Sequence, residues 1–307
     1  MNNMSDFTEF ELQQQAELKA HFPGMPEIDV QRMVKSFMAL GLYPLGPDSL
    51  EKEGVPKGEL IDGVLVSQLY PGSEHPYKIY VPANYDPLTP APLMIFLDGI
   101  SQYLSPLVNA NVALDNLIHD GRIPAMIAVF IEPGNKGDGM PIWGGIYEDS
   151  NSNRSKEYDE TDDLFSRFLL EELIPLLEKD WNISSDPEMR CICGASSGGQ
   201  AAFNAAWHRP DAFRKVISHI GSFIAMRGGD CNPSRIRKNP PKPIRVFLQD
   251  GEQDVNVIYG DLVLANKTMA SALEYRGYDY KYVFGRGGHN VEHAGAILPE
   301  TLEWIWR

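Results

Sequence analysis

The sequence predicts an α/β protein built on an eight-stranded, mostly parallel, doubly wound sheet. Eight short apolar runs follow residue 60, and helical segments separate most of them. Alternating strands and helices in one run are typical of such a sheet. The later runs are apolar throughout, as expected of strands that helices cover on both faces. The runs are VLVSQLY, YKIYV, LMIFLD, MIAVFI, RCICG, KVISHIG, IRVFLQD and YKYVFG.

The individual elements follow from local patterns. The first two runs alternate and lie close together, which predicts an antiparallel hairpin. TDDLFSRFLLEELIPLLEKDW and LVLANKTMASALEYRGY have helical spacing, and Gly277 predicts the end of the second helix. Near the N-terminus, EIDVQRMVKSFMALGL predicts one amphipathic helix that ends at Gly41. We therefore expect a helical N-terminal arm with its linker (residues 1–58) and a catalytic domain (residues 59–307).

Composition excludes several classes of partner. The 307 residues carry a formal charge of -15, which would repel nucleic acid and anionic membranes. No apolar stretch approaches the length of a membrane span, and the N-terminus lacks the features of a signal peptide. We expect a cytoplasmic protein, or a periplasmic or secreted one if a signal peptide has been removed; homo-oligomerisation stays open. Cys191 and Cys193 point to the same side of one strand and Cys231 is left over, so no disulfide is predicted.

The segment GASSGG separates a strand candidate, MRCIC, from a helix candidate, GGQAAFNAAWHRP. It fits Gly-x-Ser-x-Gly, in which a serine sits on a sharp turn between a strand and a helix. Ser196 is favoured as the nucleophile over Ser197 because only Ser196 has glycine two positions away on both sides. The backbone N–H of Ser197 is then one oxyanion-hole donor. The loop after LMIFLD supplies Gly99 and Ile100 as candidates for the other.

A nucleophilic serine needs a histidine base and an acid that orients it. His289 follows the last strand candidate and two glycines, which places it at the carboxyl edge of the sheet; His293 is the alternative base. IRVFLQDGEQD ends a strand and offers Asp254 as the acid, with Asp250 as the alternative. The order Ser, Asp, His is that of α/β-hydrolases.

Several segments together resemble a known family. They are GASSGGQAAFNAAWHRPDAFRKVISHIGSF, the LDG turn at Asp98, NRSKEYDETDDLFSRFLLEELIP and GRGGHN. From about residue 60 onward the chain resembles the enterochelin-esterase-like esterases, which include feruloyl-esterase-like and esterase D-like proteins. The resemblance implies an α/β-hydrolase fold, a serine carboxylesterase without a cofactor, Ser196 as nucleophile and His289 as base. The chain departs from that pattern in its short helical arm and in GGHN where GGHD is common.

Two other functions remain as alternatives. An acyltransferase would use the same residues and pass the acyl group to an alcohol. HNVEH (289–293) matches the zinc signature H-x-x-E-H, in which two histidines bind the metal. That motif requires a helix, and the glycines immediately before His289 disfavour one. We therefore predict no metal and no other cofactor.

Two loops bear on the substrate. The basic segment MRGGDCNPSRIRKNPPKPIR contains Arg227, which could bind a carboxylate or phenolate. IWGGIY offers Trp143 and Tyr147 for stacking on an aromatic or sugar ring. With the predicted triad, they suggest hydrolysis of a small-molecule or glycan ester of aryl, feruloyl-type or carbohydrate-linked kind through an acyl-enzyme.

Overall fold

The computed structural model describes residues 8–21, 25–136 and 153–307. Eight strands of this part of the chain form one sheet, as the sequence predicts. They are β1 (Glu59–Val66), β2 (Glu74–Val81), β3 (Leu93–Leu97), β4 (Ile127–Ile131), β5 (Arg190–Ala195), β6 (Lys215–His219), β7 (Arg245–Gly251) and β10 (Tyr280–Gly285). A separate two-stranded ribbon joins β8 (Asn256–Val257) to β9 (Gly260–Asp261).

The order across the large sheet is β1-β2-β4-β3-β5-β6-β7-β10. β1 and β2 pair antiparallel, and so do β2 and β4. The rest of the sheet is parallel, which brings the carboxyl ends of β3, β5, β7 and β10 to one edge. The predicted hairpin is present, but its first strand spans Glu59–Val66 and ends before the predicted run VLVSQLY does.

Helices cover both faces of the sheet. They are α1 (Glu9–His21), α2 (Glu27–Met38), α3 (Ala110–His119), α4 (Arg154–Tyr158), α5 (Leu164–Phe168), α6 (Ile174–Leu177), α7 (Ser197–His208), α8 (Asn232–Lys238), α9 (Leu262–Arg276) and α10 (Glu292–Trp306). Side chains of β5 show why two layers are needed: Ile192 packs with α7 and α9, whereas Cys191 and Cys193 face the opposite core with α3 and α10. None of these helices is both long and apolar enough to cross a membrane.

The N-terminal arm contains two helices, not one. α2 matches the predicted amphipathic helix, although it ends at Met38 before Gly41, and its buried residues include Val30 and Val34. α1 was not predicted; it contributes Leu18 to a small apolar cluster with α2. The arm packs against the carboxyl edge of the sheet through contacts between α2 and β8.

Candidate active site

Ser196 lies on a strained turn between β5 and α7. Its φ of 58° and ψ of -124° are a conformation that L-residues rarely adopt, and such strain is concentrated at functional sites. The turn also needs small neighbours: a Cβ at Gly194 would lie 2.3 Å from the carbonyl carbon of Gly198. The Ser196 N–H donates to the His219 carbonyl, which ties the turn to the end of β6. These contacts hold the hydroxyl at the carboxyl edge of the sheet.

The structure brings Ser196, His289 and Asp254 together from three segments. His289 Nε2 lies 2.8 Å from Ser196 Oγ, and His289 Nδ1 lies 2.6 Å from Asp254 Oδ1. Asp254 follows β7 and His289 follows β10, so adjacent parallel strands deliver the two side chains. All three residues are buried. Because Nδ1 donates to the carboxylate, Nε2 is left as an acceptor for the serine hydroxyl.

Burial sets the protonation of this cluster. It lowers the pKa of His289 to about 4, so the ring is neutral near pH 7 and able to accept a proton. Burial also raises the pKa of Asp254 to about 6, partly offset by hydrogen bonds from Asp250 and from the Val255 backbone N–H. Burial and the Asp254 charge raise the pKa of Asp250 to about 10. Asp250 is therefore protonated near pH 7 and donates to Asp254.

A second hydroxyl contacts that of Ser196. Ser222 Oγ lies 3.0 Å from Ser196 Oγ, and the Ser222 N–H donates to the Ser196 carbonyl. If the Ser196 proton points to His289, Ser222 must be the donor in the hydroxyl pair. Ser222 then restricts the rotamer of Ser196.

The predicted oxyanion donors lie at the carboxyl ends of neighbouring strands. Ser197 is the first residue of α7, and Gly99 and Ile100 begin a π-helical turn (Gly99–Tyr103) directly after β3. First-turn N–H groups have no acceptor within their own helix, so they are free to bind an anion. A Cβ at Gly99 would lie 2.4 Å from Phe130 Cα, so this turn packs tightly on β4.

A buried ion pair holds the residue that precedes the turn Gly99–Tyr103. Arg154 makes two hydrogen bonds to the Asp98 carboxylate, of 2.9 and 2.8 Å. Glu132 accepts from the Ser101 N–H at 2.7 Å, and burial with the neighbouring Asp98 charge raises the pKa of Glu132 to about 7. Arg154 and the two carboxyl groups thus hold both ends of the first turn after β3.

Two pockets open on Ser196 and His289, and Phe37 and Arg154 line both of them. The first has a volume of about 60 Å³ and mostly apolar walls. These walls include Met33, Ile224, Met226, Val255, Val257 and Leu262. The second is larger, about 390 Å³, and carries polar groups. They include Gln14, Asp98, Gln102 and Asn290.

Of the three predicted substrate-binding residues, the structure describes only Arg227, which lies outside both pockets. Arg227 pairs with the Glu160 carboxylate at 2.7 Å and with Ser155, and it lines neither pocket. Trp143 and Tyr147 lie outside the described residues. Among the described residues, Arg154 lines both pockets with Ser196. Sequence reasoning did not single it out, although it lies in the quoted segment NRSKEYDE. Its charge next to Asp98 became apparent only through the fold.

The residues of HNVEH (289–293) contact different parts of the protein. Glu292 accepts hydrogen bonds from the backbone N–H groups of Gly41 and Tyr43. His293 stacks on the Tyr43 ring at 4.0 Å and approaches Gln249 through Nδ1. In the described part of the chain no three His, Cys, Asp or Glu residues form a group that could hold a metal ion. This geometry does not favour the zinc alternative.

Comparisons with known proteins identify relatives of this chain. The Esterase family model, described as "Putative esterase", matches residues 69–305. The uncharacterized protein YbbA of Bacillus subtilis (strain 168) is 25% identical over 75% of this chain and 92% of its own length. The match covers most of the chain.

Solved structures share the fold at low identity. The enterobactin esterase FES from Shigella flexneri has a TM-score of 0.64 at 19% identity, over 82% of this chain. This chain spans 60% of the length of that protein. The ferulic acid esterase AmCE1/Fae1A from Anaeromyces mucronatus has a TM-score of 0.64 at 16% identity, over 87% of this chain and 97% of its own. Because the family model matches most of the chain, the chain belongs to the Esterase family. It is an enzyme of the carboxylesterase class.

Proposed function

We propose that Ser196, His289 and Asp254 form a catalytic triad that hydrolyses carboxylic esters through an acyl-enzyme. The observation that carries this proposal is the chain of two short hydrogen bonds, 2.8 and 2.6 Å, on a strained turn. His289 takes the Ser196 proton as the hydroxyl oxygen bonds to the ester carbonyl carbon. His289 then returns the proton to the departing alcohol. Asp254 holds the ring and stabilises its charged form.

The oxyanion and the second half-reaction follow from the same geometry. The N–H of Ser197 and an N–H from Gly99 or Ile100 would bind the carbonyl oxygen as it becomes negative. Water, deprotonated by His289, attacks the acyl-enzyme, and Ser196 recovers its proton as the acid is released. An alcohol in place of water would give acyl transfer, which product analysis distinguishes.

The two pockets support a substrate with unlike halves. The small cavity lined by Met33, Ile224 and Val255 suits an apolar or aryl group. The larger cavity, with Gln102, Asn290 and the charged pair of Arg154, suits a hydroxylated or carbohydrate group. We therefore propose an aryl or short-alkyl ester of a polar alcohol, or the reverse arrangement. The names of the structural neighbours, which include a ferulic acid esterase, are compatible with this class.

A matched pair of serine variants tests the nucleophile. Ser196→Ala should reduce kcat on p-nitrophenyl acetate by about 10⁴-fold or more, because the attacking atom is gone. Ser197→Ala removes a buried hydroxyl but keeps the backbone N–H, so its kcat should fall less than about tenfold. A fluorophosphonate should label wild-type Ser196. Labelling elsewhere, or equal losses in both variants, would exclude this assignment.

A second experiment addresses the substrate. Methyl ferulate, feruloylated arabinose, acetylated xylose and p-nitrophenyl alkanoates of increasing length vary the two halves separately. The highest kcat/KM should belong to an ester that pairs an aryl or short-alkyl half with a sugar half. A preference for long-chain alkanoates would contradict the proposed use of the two pockets.

A further inference from the structure

The N-terminal arm lies outside the matched region, residues 69–305, and yet contacts the loops that carry the proposed acid and base. The Asp29 carboxylate accepts from the Ile258 N–H, and the Asn290 side chain donates to the carbonyls of Phe37 and Ala39. The Gly288 N–H donates to the Ala39 carbonyl at 2.8 Å. The arm is thus hydrogen-bonded to the segment that follows β7 and to the loop that follows β10.

One hydroxyl of the arm joins these two sides directly. Ser36, in the last turn of α2, donates from Oγ to the Gln253 carbonyl at 2.7 Å. The same oxygen accepts from the His289 N–H at 2.9 Å. Gln253 immediately precedes Asp254. Ser36 therefore links the backbone next to the acid with the backbone of the base.

The Ser36 hydroxyl bridges the two loops just beyond the last main-chain hydrogen bond between them. β7 and β10 are paired as far as Gly251 and Gly285, and the pairing continues with a bond from the Gln253 N–H to the Gly287 carbonyl. Within the described residues, no further main-chain hydrogen bond joins the two loops beyond that point. The Ser36 hydroxyl is the next bridge, one residue from Asp254 and at His289 itself.

Packing leaves Ser36 little freedom to move. The residue is buried, and its backbone carbonyl also accepts from the His289 N–H, at 3.0 Å. A Cβ at Gly288 would lie 2.0 Å from this carbonyl oxygen, so the glycine loop and α2 are in direct contact. A group fixed on both loops in this way restricts the distance between Asp254 and His289.

We propose that Ser36 is a positioning residue, which holds the loops of Asp254 and His289 in register so that their side chains meet at hydrogen-bond distance. The inference rests on the proposed function, since it needs both residues to act in catalysis. It assigns a role in turnover to the arm, which is not part of the family match. Without the hydroxyl, the Gln253 carbonyl loses its partner and the acid loop is free to shift relative to the base.

Ser36→Ala tests this role because it removes one buried oxygen and keeps the backbone bond to His289. We expect kcat on p-nitrophenyl acetate to fall about tenfold, with KM within about twofold, since misplacement of a catalytic group slows the chemical step. The rate of fluorophosphonate labelling at Ser196 should fall by a similar factor. The downfield proton resonance of His289 Nδ1–H should shift or broaden.

Ser49→Ala is the matched control. Ser49 is a buried serine of the same arm that lines neither pocket, and its hydroxyl has no hydrogen-bond partner among the described residues. Its kcat and labelling rate should stay within about twofold of wild type. A Ser36→Ala enzyme with wild-type kcat, with a change in KM alone, or with an unchanged His289 resonance would overturn the inference. A wild-type enzyme that fails to label at Ser196 would instead refute the proposed function, which the labelling assay reports separately.

Discussion

Asp250 and Asp254 are both buried, and replacing each by asparagine should have different consequences. Asp250 Oδ1 accepts from the Gly251 N–H, and the raised pKa of Asp250 beside Asp254 keeps a proton on this carboxyl group near pH 7. An asparagine at position 250 reproduces this pattern without a titrating group, because its oxygen accepts and its NH₂ donates. An asparagine at position 254 would instead place an NH₂ or a neutral oxygen where His289 needs a carboxylate.

The raised pKa of Asp250 determines how the free energy of unfolding of the wild-type protein depends on pH. An aspartate in the unfolded chain has a pKa of about 3.9, and burial beside Asp254 raises that of Asp250 to about 10. Between these two values the folded state binds one proton that the unfolded state has released. Stability is therefore lost as the pH rises, by about 1.4 kcal/mol per pH unit. From pH 5 to pH 8 this contribution amounts to at most about 4 kcal/mol.

Urea unfolding of wild type and Asp250→Asn at pH 5, 6, 7 and 8 measures this contribution. The free energy of unfolding of the variant should exceed that of wild type by an amount that grows with pH. Parallel curves would refute the reasoning, because they would mean that Asp250 does not retain its proton in the folded state. Direct comparison of the two proteins cancels the titration of groups that do not contact Asp250, whereas the pKa of its neighbour Asp254 also changes in the variant.

Turnover of the same variants separates the two candidate acids. Asp254→Asn should lower kcat by about 10⁴-fold, the loss found when the acid of a serine-protease triad is amidated. Asp250→Asn should lower kcat by less than about tenfold because the hydrogen bond to Asp254 is kept. The reverse ranking would identify Asp250 as the residue that orients His289.

Three further substitutions test the surroundings of the site. Phe37→Ala should join the two pockets and raise kcat/KM for p-nitrophenyl hexanoate relative to acetate; an unchanged ratio would mean that Phe37 does not limit the acyl group. Asp98→Asn leaves the buried Arg154 charge without its partner carboxylate and should lower the free energy of unfolding by about 3–5 kcal/mol. A loss below about 1 kcal/mol in urea unfolding would contradict this account. Gly288→Ala places a methyl group against the Ser36 carbonyl and should destabilise the fold by about 1–3 kcal/mol; a neutral effect would show that the loop can move aside.

The sheet and the meeting of the three site residues could be predicted because both depend on local patterns and one topological rule. Continuous apolar runs such as LMIFL and RCICG identify parallel strands. Parallel strands present their carboxyl ends at one edge, so side chains that follow β5, β7 and β10 converge there. The choice of Asp254 over Asp250 required only its position after Gly251, which lets the chain turn back toward His289. The 2.6 Å contact agrees with that choice of partner, and the catalytic role remains to be tested.

Other features depend on contacts that no local pattern encodes. α1 contains mostly polar residues and three consecutive glutamines, so it has little helical periodicity to recognise. Arg227 and Arg154 look alike in sequence, and only the fold places Arg154 beside Asp98 and directs Arg227 to Glu160. A charged residue in a basic loop is therefore a weak predictor of substrate contact, because its nearest carboxylate decides where the guanidinium points.

The N-terminal arm shows what the sequence pattern predicts and what only the structure reveals. The apolar spacing of Met33, Val34 and Phe37 predicts an amphipathic α2. Ile28 and Met38, which the same spacing includes, are exposed, and the spacing does not predict what the buried face covers. Hydrogen bonds determine which surface α2 covers. One of them joins Ser36 to Gln253, two residues that are 217 positions apart in the sequence. The three residues of the proposed triad lie within the family match, whereas part of the pocket wall beside them comes from residues before position 69. We therefore expect residues of α2 such as Phe37 to influence substrate preference, because they line the pockets beside Ser196 and His289.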